Sequence, residues 1–267
     1  MSQDLILSAR DSRKWQAPAI LAAAAAQIVF ARLTDVANIG QNVEVRSALA
    51  MHPLVPLGVA FAIWPVIYLY ALVSAVWQIG ERRRSNRALR EVGWHLAGIY
   101  LLNAVWEIWV PLRGFDMLSI VMVGLALILG ISGLLRLKPL NLSGPDEWLV
   151  AGPLAFVTGW LTAAFVINIT SALVAAHNPI VNPMAINISV TFLLGLIAFG
   201  AVVVNATHSL LYSAALVWAL FWVMMANIYR DHLLSMSSVA LGGMIIIVSI
   251  TVWQLYENSH SGEPIHA

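Results

Sequence analysis

Three short spacings in this 267-residue chain place indoles and carboxamides together on single helical faces. Trp160, Ala164 and Asn168 recur at i, i+4 and i+8, so an indole and a carboxamide flank a small residue on one stripe. Phe61, Trp64 and Tyr68 fall at i, i+3 and i+7, an aromatic stripe interrupted by Pro65, whose missing N–H frees a backbone carbonyl for another partner. Asn103, Trp106 and Glu107 fall at i, i+3 and i+4. Indoles stack on flat apolar rings and amides orient them, so such faces suit a large planar ligand. Each face also has a plainer explanation: Asn bonds a neighbouring membrane helix, and Trp packs between helices or against lipid. An acid inside a span is costly and marks a functional position by default. Glu107 lies near the outer end of its span, so it is either a ligand or proton group or an interfacial acid near Arg113.

Other chemistries find little support. The seven histidines, at 52, 95, 177, 208, 232, 260 and 266, show no pairing at metal-ligand spacing on one helical face. Asp116, Asp146 and Asp231 fall at span boundaries and no nucleophile elbow occurs. The two lysines, Lys14 and Lys138, lie outside the membrane interior, which excludes a retinal Schiff base, and no phosphate-binding loop exists to drive a pump. Cysteine is absent, which removes disulfides and thiolate chemistry. Fourteen basic against thirteen acidic residues leave no basic face for a nucleic acid.

The elements that must carry these faces are membrane helices. Composition is 60 % hydrophobic and mean hydropathy is +0.83, so most burial must be satisfied by lipid and not by a water-driven core. Roughly 20 apolar residues cross the hydrocarbon as a helix. Spans are expected at 15–34, 56–79, 94–112, 116–136, 148–175, 186–205, 208–228 and 233–256. None shows the period-two alternation of a barrel strand, so the fold class is all-α: a polytopic membrane bundle of about eight transmembrane helices. No cleavable signal peptide is expected. Ala22 to Ala26, and Gly195 with Gly200, are expected to let neighbouring helices approach closely.

Ten basic residues, Arg10, Arg13, Lys14, Arg82, Arg83, Arg84, Arg87, Arg90, Arg136 and Lys138, fall on one side of this arrangement. Arg32, Arg46, Arg113 and Arg230 fall on the other, and the bias puts both termini in the cytoplasm. The outer segment from Thr34 to Val55 is too polar and interrupted to span, and is a candidate lid over the mouth of the bundle. The Arg-rich run from Glu81 to Glu91 reads first as a topology determinant beside anionic lipid. Residues 257–267 are expected to form a frayed tail.

The aromatic faces resemble those of the translocator protein family, also called tryptophan-rich sensory proteins. Trp160-Leu-Thr-Ala-Ala-Phe-Val-Ile-Asn168 is similar to that family's fifth span, Asn103-Ala-Val-Trp106 to its third, and Trp64-Pro-Val-Ile-Tyr68, following Pro56, to its second. The Phe61-to-Trp64 spacing is one shorter than in compact members, and Glu107 stands where they carry a small polar residue before a proline. The resemblance covers about residues 15–176. It implies four parts: a cytoplasmic segment 1–14, a translocator-like five-helix domain 15–176, a three-helix extension 177–256 like that of larger bacterial relatives, and the tail 257–267. It further implies a pocket open toward the lid that binds porphyrins, sterol-like or other flat hydrophobic molecules, often in a homodimer, at a bacterial inner membrane.

The leading expectation is a binding, transport or sensory protein, without catalysis and with no required cofactor, for a planar apolar ligand such as a tetrapyrrole. Its site would comprise Phe61, Trp64, Tyr68, Asn103, Trp106, Glu107, Trp160, Ala164 and Asn168. Two alternatives stay open: an accessory subunit docked on a larger membrane complex, and a membrane enzyme acting on a lipophilic pigment or steroid with Glu107 as acid or base.

Overall fold

The computed structural model of the chain describes residues 3–37, 39–80, 86–176 and 183–261. Arg82, Arg83, Arg84, His177, His266 and the last residues of the tail lie outside them, as do the side chains of residues 1–14. The chain forms helices α1 (Gln3–Ala37), α2 (Val43–Leu49), α3 (Ile63–Gln78), α4 (Arg87–Arg113), α5 (Met117–Leu137), α6 (Gly152–Ala175), α7 (Pro183–Thr207), α8 (Leu210–Tyr229) and α9 (Leu234–Ser261). A 3-10 turn, Gly58–Ala62, leads into α3, and a π turn, Glu147–Ala151, leads into α6. Pro65 sits in the first turn of α3, among the residues whose N–H has no partner within the helix, so its missing N–H removes no bond internal to α3.

Seven of these helices are long and apolar enough to cross a bilayer. The expected third crossing, 94–112, lies within α4, which is 27 residues long yet does not join the seven. Polar residues account for the difference: His95, Asn103 and Glu107 fall within the expected span and lower its hydropathy; of these, Asn103 and Glu107 lie in the second half of α4. Both are buried, against helices and not lipid, because α4 packs between α1 and α5. Helix α9 also runs beyond the expected end of its span, through Ser261. There Ser259 Oγ donates to the Tyr256 carbonyl and the His260 ring packs 4.2 Å from that of Tyr256.

Helix α6 is the centre of the bundle. Its span is 72 % buried, against 28–50 % for the other six, so it meets protein on nearly every side. It packs on α5 and on α8, and α8 in turn packs on α9, so the C-terminal helices join the first five mainly through α8. Without a water-driven force between helices, this contact depends on close approach of small residues. Gly159 supplies it: a Cβ there would lie 2.3 Å from the Tyr212 carbonyl oxygen and 3.0 Å from Ala215 Cβ. Gly200 likewise faces Leu216, as its spacing predicts. Gly195 does not mark a contact, since a Cβ there would meet nothing within 4 Å. It opens instead on an apolar groove of about 410 Å³ between α5, α6 and α7, where α7 stands away from α6 and leans on α9.

Gly159→Ala should therefore lower the thermal midpoint of the solubilised protein, by an amount equivalent to about 1–3 kcal/mol of overpacking. Gly195→Ala should leave the midpoint unchanged or raise it, and a thermal-shift comparison of the two variants checks the assignment.

Candidate ligand-binding site

The three faces meet. Trp64 from α3 stands at their junction, its ring 5.9 Å edge-on to Trp160 of α6, 6.3 Å from Trp106 of α4 and stacked on Tyr68 at 5.6 Å and 23°. Edge-to-face and offset contacts at these separations are the favourable ones for aromatic rings, so the indoles hold one another in place. Phe115, at the α4–α5 corner, extends the cluster 6.4 Å beyond Trp106.

Hydrogen bonds fix the polar members. Trp106 Nε1 donates to Asn168 Oδ1 (3.1 Å), and Asn168 Nδ2 donates to Ser119 Oγ (2.9 Å), so one carboxamide ties α4, α6 and α5 together. Ser119 is placed for this by the start of α5, where Asp116 and Ser119 form a reciprocal capping box. Neither residue was among the expected site members; the Asp-x-x-Ser spacing before an apolar run was the available signal. Tyr68 Oη donates to Glu107 Oε1 at 2.5 Å, which joins α3 to α4. Glu107 is only 5 % exposed, so the acid is an interior group bonded across a helix interface and not a rim residue. Asn103 turns toward α1, where its Nδ2 donates to Gln27 Oε1 at 3.1 Å.

The space around these side chains is divided in two by the Trp64 ring. On one side lies a small hollow of about 30 Å³, lined by Phe61, Trp106, Trp160, Ala164 and Asn168 and covered by Val43 and Ser47. Ala164 supplies the gap between indole and amide that the i+4 spacing predicts, and Trp160 Nε1 makes no hydrogen bond among the described residues. A hollow this size admits about one water-sized molecule. On the other side lies a chamber of about 520 Å³ between α1, α3 and α4. Phe61, Trp64, Pro65 and Tyr68 form one wall, Ile28, Ala31 and Arg32 another, and Glu107 and the lid residues Asn42, Val43 and Glu44 complete it. Of the nine expected residues, Phe61, Trp64, Tyr68 and Glu107 line the chamber. Trp106, Trp160, Ala164 and Asn168 stand behind the partition, and Asn103 lines neither space.

The Thr34–Val55 segment does cover both spaces, and it does so as the short helix α2, capped by Asn42 accepting from Val45 N. One end of this lid is anchored on the last turn of α4. The Pro111 carbonyl accepts from Gln41 N (3.0 Å) and from Arg46 Nε and Nη2 (3.2 and 2.8 Å), a cation meeting the negative end of the helix. Gly40 makes this approach feasible, since its φ is +75° and a Cβ would lie 2.5 Å from the Pro111 oxygen. The other end is held by α6 and α8. Asn227 Nδ2 donates to the Pro53 carbonyl (2.7 Å), Arg230 Nη2 to that of Val55 (2.9 Å), and Trp218 Nε1 to that of Ala60 (3.0 Å). Hydrogen bonds to backbone carbonyls leave no trace in residue spacing, which is why these clamps were not foreseen.

His52 sits inside the second anchor. Leu54 N donates to its Nδ1, and its Nε2 lies 3.1 Å from Ser171 Oγ, an arrangement that requires the neutral ring with its proton on Nε2. Burial, reinforced by the Arg230 charge, lowers its pKa from 6.5 to about 3.

A family model described as TSPO-like protein matches residues 17–253, and so takes in α7, α8 and α9 as well as the five spans on which the resemblance rests. No curated protein and no solved structure matches the chain.

Because the folded-state pKa of His52 lies below the unfolded value, its neutral form contributes stability that is complete above pH 6.5 and is lost as pH falls toward about 3. The thermal midpoint should fall across that window, and His52→Gln should flatten the slope while lowering the midpoint at neutral pH.

Proposed function

This chain belongs to the TSPO-like protein family of integral membrane proteins, and from that premise we propose that it binds a planar apolar ligand, such as a tetrapyrrole or sterol-like molecule, in the chamber between α1, α3 and α4. One observation carries the reading: the stacked Trp64 and Tyr68, with Phe61, make one side aromatic in a space of about 520 Å³, within the range of small-molecule sites. Hydrogen-bonding groups of Asn42, Glu44 and Glu107 line the same space. Trp106 and Trp160 back the Trp64 ring, Asn168 locks Trp106, and Ala164 leaves the room in which those rings settle.

The chamber also borders exposed apolar surface. Leu69 lines it and is 63 % exposed on the lipid-facing side of α3, with Val29 and Leu33 exposed on α1 nearby. A ligand would therefore enter from the acyl chains, beneath a lid whose two ends are anchored. The reading extends to both termini being cytoplasmic, on the strength of the basic-residue bias, and to a bacterial inner membrane, which only the family resemblance suggests.

Titrating an uncharged porphyrin into the purified protein should quench tryptophan fluorescence saturably. Trp64→Ala should weaken binding by about tenfold or more, from loss of stacking worth roughly 1–3 kcal/mol. Ala164→Leu, behind the partition, should alter affinity only through a shifted Trp64. Unchanged affinity in Trp64→Ala would remove the chamber from consideration.

A further inference from the structure

The chamber is not electrically neutral in its lining, and its charges are unevenly placed. Besides the Tyr68 phenol, an Arg and two acids border it: Arg32 of α1, Glu44 of the lid and Glu107 of α4. Arg32 and Glu44 are exposed at the lid end, so water screens both. Glu44 is seated over the start of the 3-10 turn, where its Oε1 would lie 2.4 Å from a Cβ built on Gly58. Glu107 alone is interior. The rim thus carries one charge of each sign, and the inner wall carries a carboxyl.

That carboxyl is held as an acceptor. The Tyr68 hydroxyl donates to its Oε1, which orients the group and gives it the role that an N–H donor on a ligand would extend. The adjoining wall works in the same direction: it is built of Trp64, Tyr68 and Phe61, and aromatic rings attract a cation through the negative quadrupole density of their faces. An anionic substituent placed beside Glu107 would meet that carboxyl and the aromatic wall, whereas Arg32 is exposed to water at the rim.

From this arrangement we infer that the chamber selects, among planar apolar molecules, those carrying a basic nitrogen, with Glu107 receiving its positive charge and Trp64 and Tyr68 stacking its ring. The inference rests on the chamber being the ligand seat. It assigns Glu107 a recognition role that the stacking wall alone does not require.

The test uses the full-length protein in nanodiscs of zwitterionic lipid and two probes of nearly the same shape at neutral pH: 9-aminoacridine, a planar monocation, and acridine, a neutral ring. The cation should bind about ten- to hundredfold tighter than the neutral ring, the range of a charge-assisted hydrogen bond. Glu107→Gln should abolish that preference by weakening the cation alone, whereas Glu107→Asp should retain it. Saturable binding of both probes with equal affinity, or a cation preference that survives Glu107→Gln, would overturn the charge assignment and leave the chamber standing. Absence of saturable binding by either probe would overturn both.

Discussion

Hydrocarbon supplies no hydrogen bonds, and that single constraint organises this molecule. A polar side chain inside the bundle is stabilised by a partner on another helix or on its own backbone, and each pair formed across helices also acts as a positional tie. Asn168 binds Trp106 and Ser119 and thereby sets the spacing of three helices. Glu107 and Tyr68 do the same for α3 and α4, and Thr162 with the Tyr212 hydroxyl, 2.8 Å apart, for α6 and α8. The aromatic cluster is ordered because these ties leave its rings little freedom. Removing one partner would leave the other stranded in a medium that cannot solvate it, so the ties are maintained as pairs.

The same constraint explains what the sequence reveals and what it conceals. The long apolar runs, the Trp and Asn faces and the polar lid segment are legible because they follow from composition and helical periodicity. The convergence of Trp64, Trp106 and Trp160 was expected from spacing, and the rings do meet. What spacing could not convey is that the rings fill most of the hollow between the three faces. Trp64 then becomes a partition, with the larger space between α1 and α3. That depends on side-chain packing across helices far apart in sequence. The lid clamps escaped notice for a related reason, since Asn227, Arg230 and Arg46 bond to backbone carbonyls, which every residue offers alike. In α4 two of the polar residues that lower its hydropathy, Asn103 and Glu107, do the tying.

The C-terminal helices gain a physical role from these contacts. Helix α8 lies against α6 through the Gly159 approach and reaches past it to hold the Pro53, Val55 and Ala60 carbonyls. It therefore fixes the far end of the lid and the turn that launches α3, the helix carrying Trp64 and Tyr68. A family match that runs through residue 253 accords with helices that frame the site and are not merely appended to it.

The position of Leu69, both lining the chamber and exposed beside α3, changes what occupancy means for this protein. A molecule reaching the chamber from the acyl chains is drawn from a two-dimensional reservoir, whose local content is set by its partition coefficient and by the amount of lipid present. Occupancy would then follow the ligand's mole fraction in the membrane, which the partition coefficient ties to its free concentration in water. At a fixed total amount of a strongly partitioned compound, additional lipid would therefore lower its occupancy of the chamber.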